Sequence, residues 1–183
     1  RRVKQTFPWL DCVVADGLYP NGPFLTLVAQ LRMSAVIIMR KETDEPLKEA
    51  LCIWRNQPPV EVVEDLDKEE RIELWNCPNT ETLETFDGPI RVVRGQVSSL
   101  KNSDRVRTWC MVVTGPAATR LSPHQVLKIA RGRWHIENTG FHQWTTRWYF
   151  NHVFVHDGHG MLALFWLFFA AFNLLTLFLY RQL

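Results

Sequence analysis

The first forty residues carry the hydrophobic pattern of a strand, a helix and a second strand. The apolar stretch 12–15 ends at Asp16 and Gly17, which predicts a buried strand with Asp16 at its carboxyl end. Apolar residues recur at helical spacing over 23–33, and residues 35–39 form a second apolar run. This order predicts a parallel βαβ unit. Because the functional crevice of such sheets lies beyond the carboxyl ends of the strands, Asp16 is a candidate for chemistry.

Residues 42–120 have a different pattern, in which prolines and glycines separate short apolar runs. The clearest runs are 60–63, 90–93 and 109–113. Such runs are typical of antiparallel strands joined by turns. We therefore predict a β-rich insertion over 42–120, within an α/β domain formed by 1–41 and 121–183.

Two helices are predicted after the insertion. Ser122 and Pro123 supply an N-cap and a first-turn proline for a helix that extends to about Arg147. A second helix follows Gly160, and its stretch 161–180 contains no charged residue. As a helix this stretch is about 30 Å long, enough to span a bilayer.

The apolar stretch 161–180 has two interpretations. Asn173, Thr176 and Tyr180 form a polar stripe at helical spacing, and mean hydropathy over the whole chain is −0.13. We therefore predict a helix buried in the core of a protein without membrane contact. Membrane association is the alternative.

Charge is strongly segregated behind a formal net charge of +2. Segment 1–41 holds six Lys/Arg and two Asp/Glu residues, and segment 88–183 holds eleven Lys/Arg and three Asp/Glu residues. The segment between them, 42–87, is acidic, with four Lys/Arg and fourteen Asp/Glu residues. Two basic segments indicate a polyanionic partner, because Lys and Arg contacts to phosphate supply most non-specific nucleic-acid affinity. Ordinary solvated surface is the alternative.

The length and the cysteines limit the class of protein further. The 183 residues suffice for one globular domain or for part of a larger one. The four cysteines form no CxxC pair, which indicates neither a disulfide framework nor a thiolate zinc site and favours a reducing cytoplasm. Because the chain begins with Arg1 and no signal-peptide pattern follows, we expect a fragment that lacks its N-terminal side.

Arg133 and Glu137 are four residues apart and would share one face of a continuous helix. On spacing alone this pair also fits a surface salt bridge. The surrounding residues Gly132-Arg-Trp-His-Ile-Glu-Asn-Thr-Gly-Phe141, together with Val13-Val-Ala-Asp-Gly-Leu-Tyr19, resemble the glutamate and second-aspartate motifs of insertion-sequence DDE transposases. The broader YREK signature of related transposases has Tyr and Lys where this chain has Ala130 and Trp144.

The resemblance implies a ribonuclease-H-like catalytic domain that performs DNA transposition with Mg²⁺ or Mn²⁺. Asp16 and Glu137 would be the second and third metal-binding carboxylates, with Arg133 orienting Glu137 or contacting phosphate. The first aspartate would lie upstream of Arg1, so we expect the 183 residues alone to be inactive. The resemblance also implies double-stranded DNA as partner, a homodimer when active, a bacterial cytoplasmic location and no membrane. The expected DNA contacts are Tyr19, Arg131, Arg133, Trp144 and Arg147.

The histidines suggest one further alternative. All six lie between His124 and His159, and His152, His156 and His159 are close enough in sequence for a zinc site. A structural or DNA-backbone role is the interpretation that the resemblance favours. The alternative function is a membrane-associated or zinc-binding module without enzymatic activity.

Overall fold

The N-terminal strand and helix pattern forms the predicted parallel unit. In this computed structural model a short helix, α1 (Arg2–Thr6), precedes β1 (Cys12–Asp16). Helix α2 (Gly22–Gln30) then connects β1 to β2 (Ser34–Met39), which lies parallel to β1. The Asn21 side chain begins α2 by accepting a hydrogen bond from the Phe24 N–H at 3.0 Å. The predicted βαβ unit is confirmed.

The structure describes residues 2–17, 19, 21–39, 45–80, 86–101, 105–152 and 155–182, apart from the side chains of 45, 136, 137, 139, 180 and 182. The chain divides into two compact units, a sheet unit (1–135) and a C-terminal unit (136–183). The predicted boundary between 41 and 42 lies outside the described residues. The division into 1–41, 42–120 and 121–183 stays a prediction.

The strands of the predicted insertion continue the sheet that β1 and β2 begin. They are β3 (Glu61–Asp65), β4 (Glu70–Thr80), β5 (Ile90–Ser99) and β6 (Val106–Thr114). All pairings among them are antiparallel, and β6 also pairs antiparallel with β2. The sheet has the order β1-β2-β6-β5-β4-β3. One mixed sheet therefore carries both the parallel unit and the antiparallel strands.

Two elements between residues 42 and 80 were not predicted from the sequence. Helix α3 (Glu45–Trp54) buries Leu47, Ala50 and Trp54, which recur at helical spacing. Strand β4 runs through Pro78, which the sequence pattern marked as a turn. The pairing of β4 with β5 shifts register between Cys77 and Thr80. Pro78 is tolerated there because a residue at such an irregularity need not donate to the ladder.

Helices cover both faces of the sheet and create two cores. On one face α2 and α3 pack against the strands through Leu25, Val28, Leu47, Ala50 and Trp54. On the other face lie α4 (Ala117–Arg120) and α5 (Pro123–His135). They contribute Ala117, Val126, Leu127 and Ala130 to the second core. Strand β2, covered on both faces, is buried at five of its six positions, as expected for an inner strand.

A buried arginine fixes α4 to the sheet. Arg91 on β5 is 5% exposed, and its Nε donates to Asn76 Oδ1 at 2.6 Å. Its Nη1 donates to the carbonyl oxygens of Ala118 at 3.1 Å and Leu121 at 2.6 Å. Burial lowers the pKa of Arg91 from its ordinary value, yet guanidinium stays protonated in proteins. Arg91 therefore satisfies carbonyls at the end of a short helix with a buried charge.

The stretch predicted as one helix from Pro123 to about Arg147 is helical throughout, but its middle is π-helical and not α-helical. Helix α5 ends at His135, a π-helical segment, π1 (Ile136–Phe141), follows, and α6 (His142–Arg147) completes the stretch. Insertions of this kind bulge the backbone and are frequent at functional sites. No proline stands between Pro123 and Arg147 to signal the interruption.

Helix α7 (Gly158–Gln182) packs against α6 through aromatic rings on one stripe. Phe169 and Phe172 contact the ring of Trp144, Phe168 and Phe172 contact that of Trp148, and Phe165 and Phe168 contact that of Phe150. The four α7 phenylalanines are spaced at i, i+3, i+4 and i+7, which places them on one face. Within the part of this unit that the structure describes, the aromatic stripe packs α7 against α6 and the turn that follows it.

The prediction that the apolar C-terminal helix is buried is wrong for the described residues. The stretch 158–179 is long and apolar enough to cross a membrane by length and composition, and none of its side chains is buried. Side chains outside the aromatic stripe are exposed, among them Trp166 at 61% and Leu167 at 66%. The helix remains exposed because α6 and the turn after it cover only one stripe. The side chain of Tyr180, part of the predicted polar stripe, lies outside the description.

Candidate active site

Asp16 is the last residue of β1, at the carboxyl end of the parallel pair. Its partner in register is Ile38 on β2, and its carbonyl oxygen accepts a hydrogen bond from the Tyr19 N–H at 3.1 Å. Residues directly paired across a sheet point to the same face, and Ile38 packs against the core formed with α5. The half-buried Asp16 side chain therefore belongs to the sheet face that α5 covers.

Helix α5 begins with a reciprocal pair of hydrogen bonds. The Gln125 N–H donates to Ser122 Oγ at 3.2 Å, and the Ser122 N–H donates to Gln125 Oε1 at 2.9 Å. This is a capping box, and it fixes the start of the helix from local sequence alone. Val126, Leu127 and Ala130 then direct one face of α5 onto the sheet.

The last turn of α5 reaches the end of the sheet where β1 and β2 stop. The ring of Trp134 makes an edge contact with Trp109 on β6, with centroids 6.4 Å apart. Trp109 directly precedes Cys110 on β6, and Cys110 pairs with Met39, the last residue of β2. Because β6 runs antiparallel to β2, Trp109 lies just past the carboxyl end of β2. The guanidinium of Arg133 lies 5.5 Å from the centroid of the Trp134 ring. Arg133 and Asp16 are thus at the same end of the sheet.

A forked ion pair joins α5 to the distant strand β4. Arg131 Nη1 and Nη2 donate to Glu70 Oε2 at 2.8 Å and Oε1 at 3.1 Å. Glu70 is 8% exposed, and Arg107 Nη2 lies 3.5 Å from its Oε1. Arg131 was predicted as a DNA contact, and that role stays a prediction, but its guanidinium is engaged by Glu70. Sequence reasoning did not find Glu70, because 61 residues separate the partners.

Glu137 lies in π1, one residue after its start. Its side chain is outside the description, so its part in a site stays a prediction. On an uninterrupted α-helix Trp144, seven residues after Glu137, would lie on the same face as Glu137. Because π1 has i→i+5 hydrogen bonding, seven residues here do not correspond to two turns.

The remaining predicted DNA contacts differ in accessibility. Tyr19 is 48% exposed, with its ring 5.4 Å from that of Phe24, and Arg147 is exposed on α6. Trp144 is 9% exposed and is surrounded by aromatic rings. Its buried position indicates a packing role and adds no support to contact with DNA. For all three residues the DNA contact stays a prediction.

The predicted zinc cluster gains no support. His152, His156 and His159 are exposed. Among the described side chains, no group of three or more His, Cys, Asp or Glu residues is arranged to hold a metal ion. Asp16 is one of these described side chains, and Glu137 is not.

Comparison with known proteins gives one informative result. The family model described as "Transposase DDE domain" matches residues 1–174. No curated protein matches the chain. The match covers both predicted motifs and most of both structural units, and the mixed sheet with its helices is consistent with such a domain. The chain belongs to the DDE transposase family.

Proposed function

We propose that the chain is the C-terminal part of an insertion-sequence transposase, which cleaves DNA at the ends of its element and joins the freed 3′ hydroxyl to target DNA. Asp16 and Glu137 are two of its three metal-binding carboxylates. One observation carries the proposal: Asp16 ends a parallel strand on the face covered by α5, whose last turn reaches the same end of the sheet. The next segment along the chain, π1, contains Glu137.

The donor chemistry fits a hard divalent cation. The half-buried Asp16 carboxylate offers the oxygen ligands that Mg²⁺ and Mn²⁺ prefer, and Glu137 supplies the same group. When bound, a pair of such ions neutralises the charge that develops on the attacking and leaving oxygens. Arg133, held over Trp134, contributes a guanidinium suited to a phosphate or a carboxylate.

The rest of the proposal follows the family. The sheet is that of a ribonuclease-H-like domain whose first strands, with the first aspartate, precede Arg1, and the 183 residues alone are inactive. Double-stranded DNA is bound through the predicted contact residues, of which Tyr19 and Arg147 are exposed. The active protein is a homodimer in the bacterial cytoplasm.

Iron-directed cleavage of the chain tests the two carboxylates without requiring activity. Fe²⁺ bound at a Mg²⁺ site produces hydroxyl radicals with ascorbate and peroxide, and these cut the nearby backbone. We expect cuts near Asp16 and near Glu137 that excess Mg²⁺ suppresses. Asp16→Asn and Glu137→Gln should each weaken both cuts, because the ions are shared.

Asp11→Asn is the matched control. Asp11 is five residues before Asp16, and its carboxylate is 84% exposed and paired with Lys4 at 3.3 Å. Both cuts should persist in this variant. Cuts elsewhere, or cuts that survive in both site variants, would contradict the proposal. Mg²⁺-dependent cleavage of element ends by the 183 residues alone would contradict the proposed upstream aspartate.

The exposure of α7 favours a second candidate function, that of a membrane-associated module. Its apolar side chains lie on all sides outside the aromatic stripe, and its length matches a bilayer. Cell fractionation decides between the two. Retention of the chain in membranes after a carbonate wash supports membrane association, and release into the wash supports the transposase alone.

A further inference from the structure

We propose that Glu70 is a positioning residue for the active site, which it serves by holding the last turn of α5 through Arg131. The inference rests on the proposed function, because it concerns the placement of Arg133 and of the segment that begins after His135. Glu70 lies in no motif and belongs to an antiparallel strand of the predicted insertion. Through Glu70, the predicted insertion would therefore help to position the last turn of α5.

The ion pair between Arg131 and Glu70 has a geometry that fixes the relative orientation of the two side chains. Two parallel N–H···O bonds of 2.8 and 3.1 Å join the planar guanidinium of Arg131 to the planar carboxylate of Glu70. Such a fork constrains the orientation of both groups and is stronger than a neutral hydrogen bond. Glu70 itself is held as the first residue of β4, paired with Ser99 on β5. The anchor is therefore part of the sheet.

Stability alone is a poor explanation for the pair. Removing two charges from water costs about as much as their attraction returns, so a packed apolar pair would often serve stability equally well. Glu70 is nearly buried, whereas the adjacent Glu69 is exposed and pairs with Lys101 at 2.7 Å. A buried charge with a specific partner is better explained by the orientation that it imposes.

Arg131 lies close in sequence to the proposed site residues, so its orientation affects where they are placed. Arg131 stands two residues before Arg133 and six before Glu137. Trp134, on Trp109, provides a second contact in the same turn. The turn is thus held at two points of the sheet just before the backbone changes from α to π geometry at Ile136. Weakening the ion pair between Glu70 and Arg131 should free the last turn of α5, while the capped first turn of α5 stays in place.

Hydrogen exchange read by mass spectrometry tests the positioning directly. In Glu70→Gln we expect amides of residues 131–141 to exchange about tenfold faster, since charge-assisted bonds hold this turn more firmly than neutral ones. Amides of residues 123–130 should be unchanged. Arg131→Lys keeps the charge but loses the fork, so its effect should be intermediate. This milder variant also serves if Glu70→Gln folds poorly.

Iron-directed cleavage then connects the positioning to the site. In Glu70→Gln both cuts should weaken, because the two carboxylates share the ions and Glu137 is no longer held in place. Global loss of structure would also weaken both cuts, but it would speed exchange over residues 123–130 as well. Glu69→Gln, which removes an adjacent exposed carboxylate, is the control and should match the wild-type chain in both measurements.

The outcomes separate this inference from the proposed function. Unchanged exchange at 131–141 overturns the inference whatever the metal result. Faster exchange with both cuts intact also overturns it, since the ion pair would then be structural only. If the wild-type chain is not cut near Asp16 and Glu137 at all, the proposed function fails, and the role of Glu70 in it fails too.

Discussion

The sheet unit and the C-terminal unit use similar apolar residues with opposite results. In the sheet unit, strands β2 and β5 bury nearly every hydrophobic side chain between two helical layers. In the described part of the C-terminal unit, Trp144 is the one buried side chain, and α7 exposes most of its leucines. Burial depends on what lies opposite an apolar face, and not on the number of apolar residues in it.

The largest expected effect tests the core of the sheet unit. Leu127 is 1% exposed on α5 and fits over Gly95, where an added Cβ would approach Leu127 Cδ2 to 3.1 Å. Leu127→Ala should lower the free energy of unfolding by about 2–5 kcal/mol, because it removes buried methyl groups and leaves a cavity. Urea unfolding followed by circular dichroism measures it.

Leu167→Ala is the matched variant in the other unit. Leu167 is 66% exposed on α7, so the same substitution should change the free energy of unfolding by less than about 0.5 kcal/mol. A loss as large as that of Leu127→Ala would show that α7 is covered in solution. The contrast between the two units would then disappear.

A smaller effect is expected from the buried polar network of the sheet unit. Arg91→Met should lower the free energy of unfolding by about 1–3 kcal/mol, because the carbonyls of Ala118 and Leu121 lose their donor. Arg120→Met, on the exposed side of α4, is the control and should be nearly neutral. Equal effects of the two substitutions would contradict the role given to Arg91.

Trp144→Phe tests the single buried position of the C-terminal unit. The indole Nε1 of Trp144 is buried with no hydrogen-bond partner among the described residues. Removing this unpaired N–H group offsets part of the packing energy that is lost with the larger ring. Thermal unfolding should therefore show that the free energy of unfolding falls by about 1 kcal/mol. A much larger loss would indicate that the Nε1 group has a partner that stabilises the unit.

The smallest expected effect is chemical and leaves stability unchanged. Burial raises the pKa of the Cys12 and Cys77 thiols, and at Cys77 the charge of Glu49 raises it further. Iodoacetamide at about pH 8 should therefore alkylate the exposed Cys52 first, because the thiolate is the nucleophile. Peptide mapping gives the order, and Cys52→Ser should abolish the fast phase. Early labelling of Cys77 would show that the sheet unit opens.

The local signals in the sequence were sufficient for much of the fold. The parallel unit and the start of α5 follow from apolar spacing and from caps at Asn21 and Ser122, which act within a few residues. Helix α3 carried the same kind of signal and was missed because its turn-rich surroundings dominated the pattern. The strand through Pro78 was missed for a different reason, since its irregular register exists only once β5 lies beside it.

The candidate site divides in the same way. From the sequence alone, Asp16 is identified by its position at the end of a predicted strand, and the glutamate motif is identified by its residues. The π1 segment, the engagement of Arg131 by Glu70 and the burial of Trp144 were not predicted, because each depends on residues brought together from distant positions. Continuous α-helical spacing would place Trp144 on the face of Glu137, but π1 changes that spacing.

The sequence by itself determined the family, the position of Asp16 at a strand end and the apolar character of α7, because motifs, short-range periodicity and composition are local properties. Only the tertiary structure decided that the antiparallel strands extend the same sheet, and that Glu70 holds the end of α5. It also decided which apolar side chains are buried. Pairing, ion pairs and burial each require a partner far along the chain, and no local pattern identifies that partner.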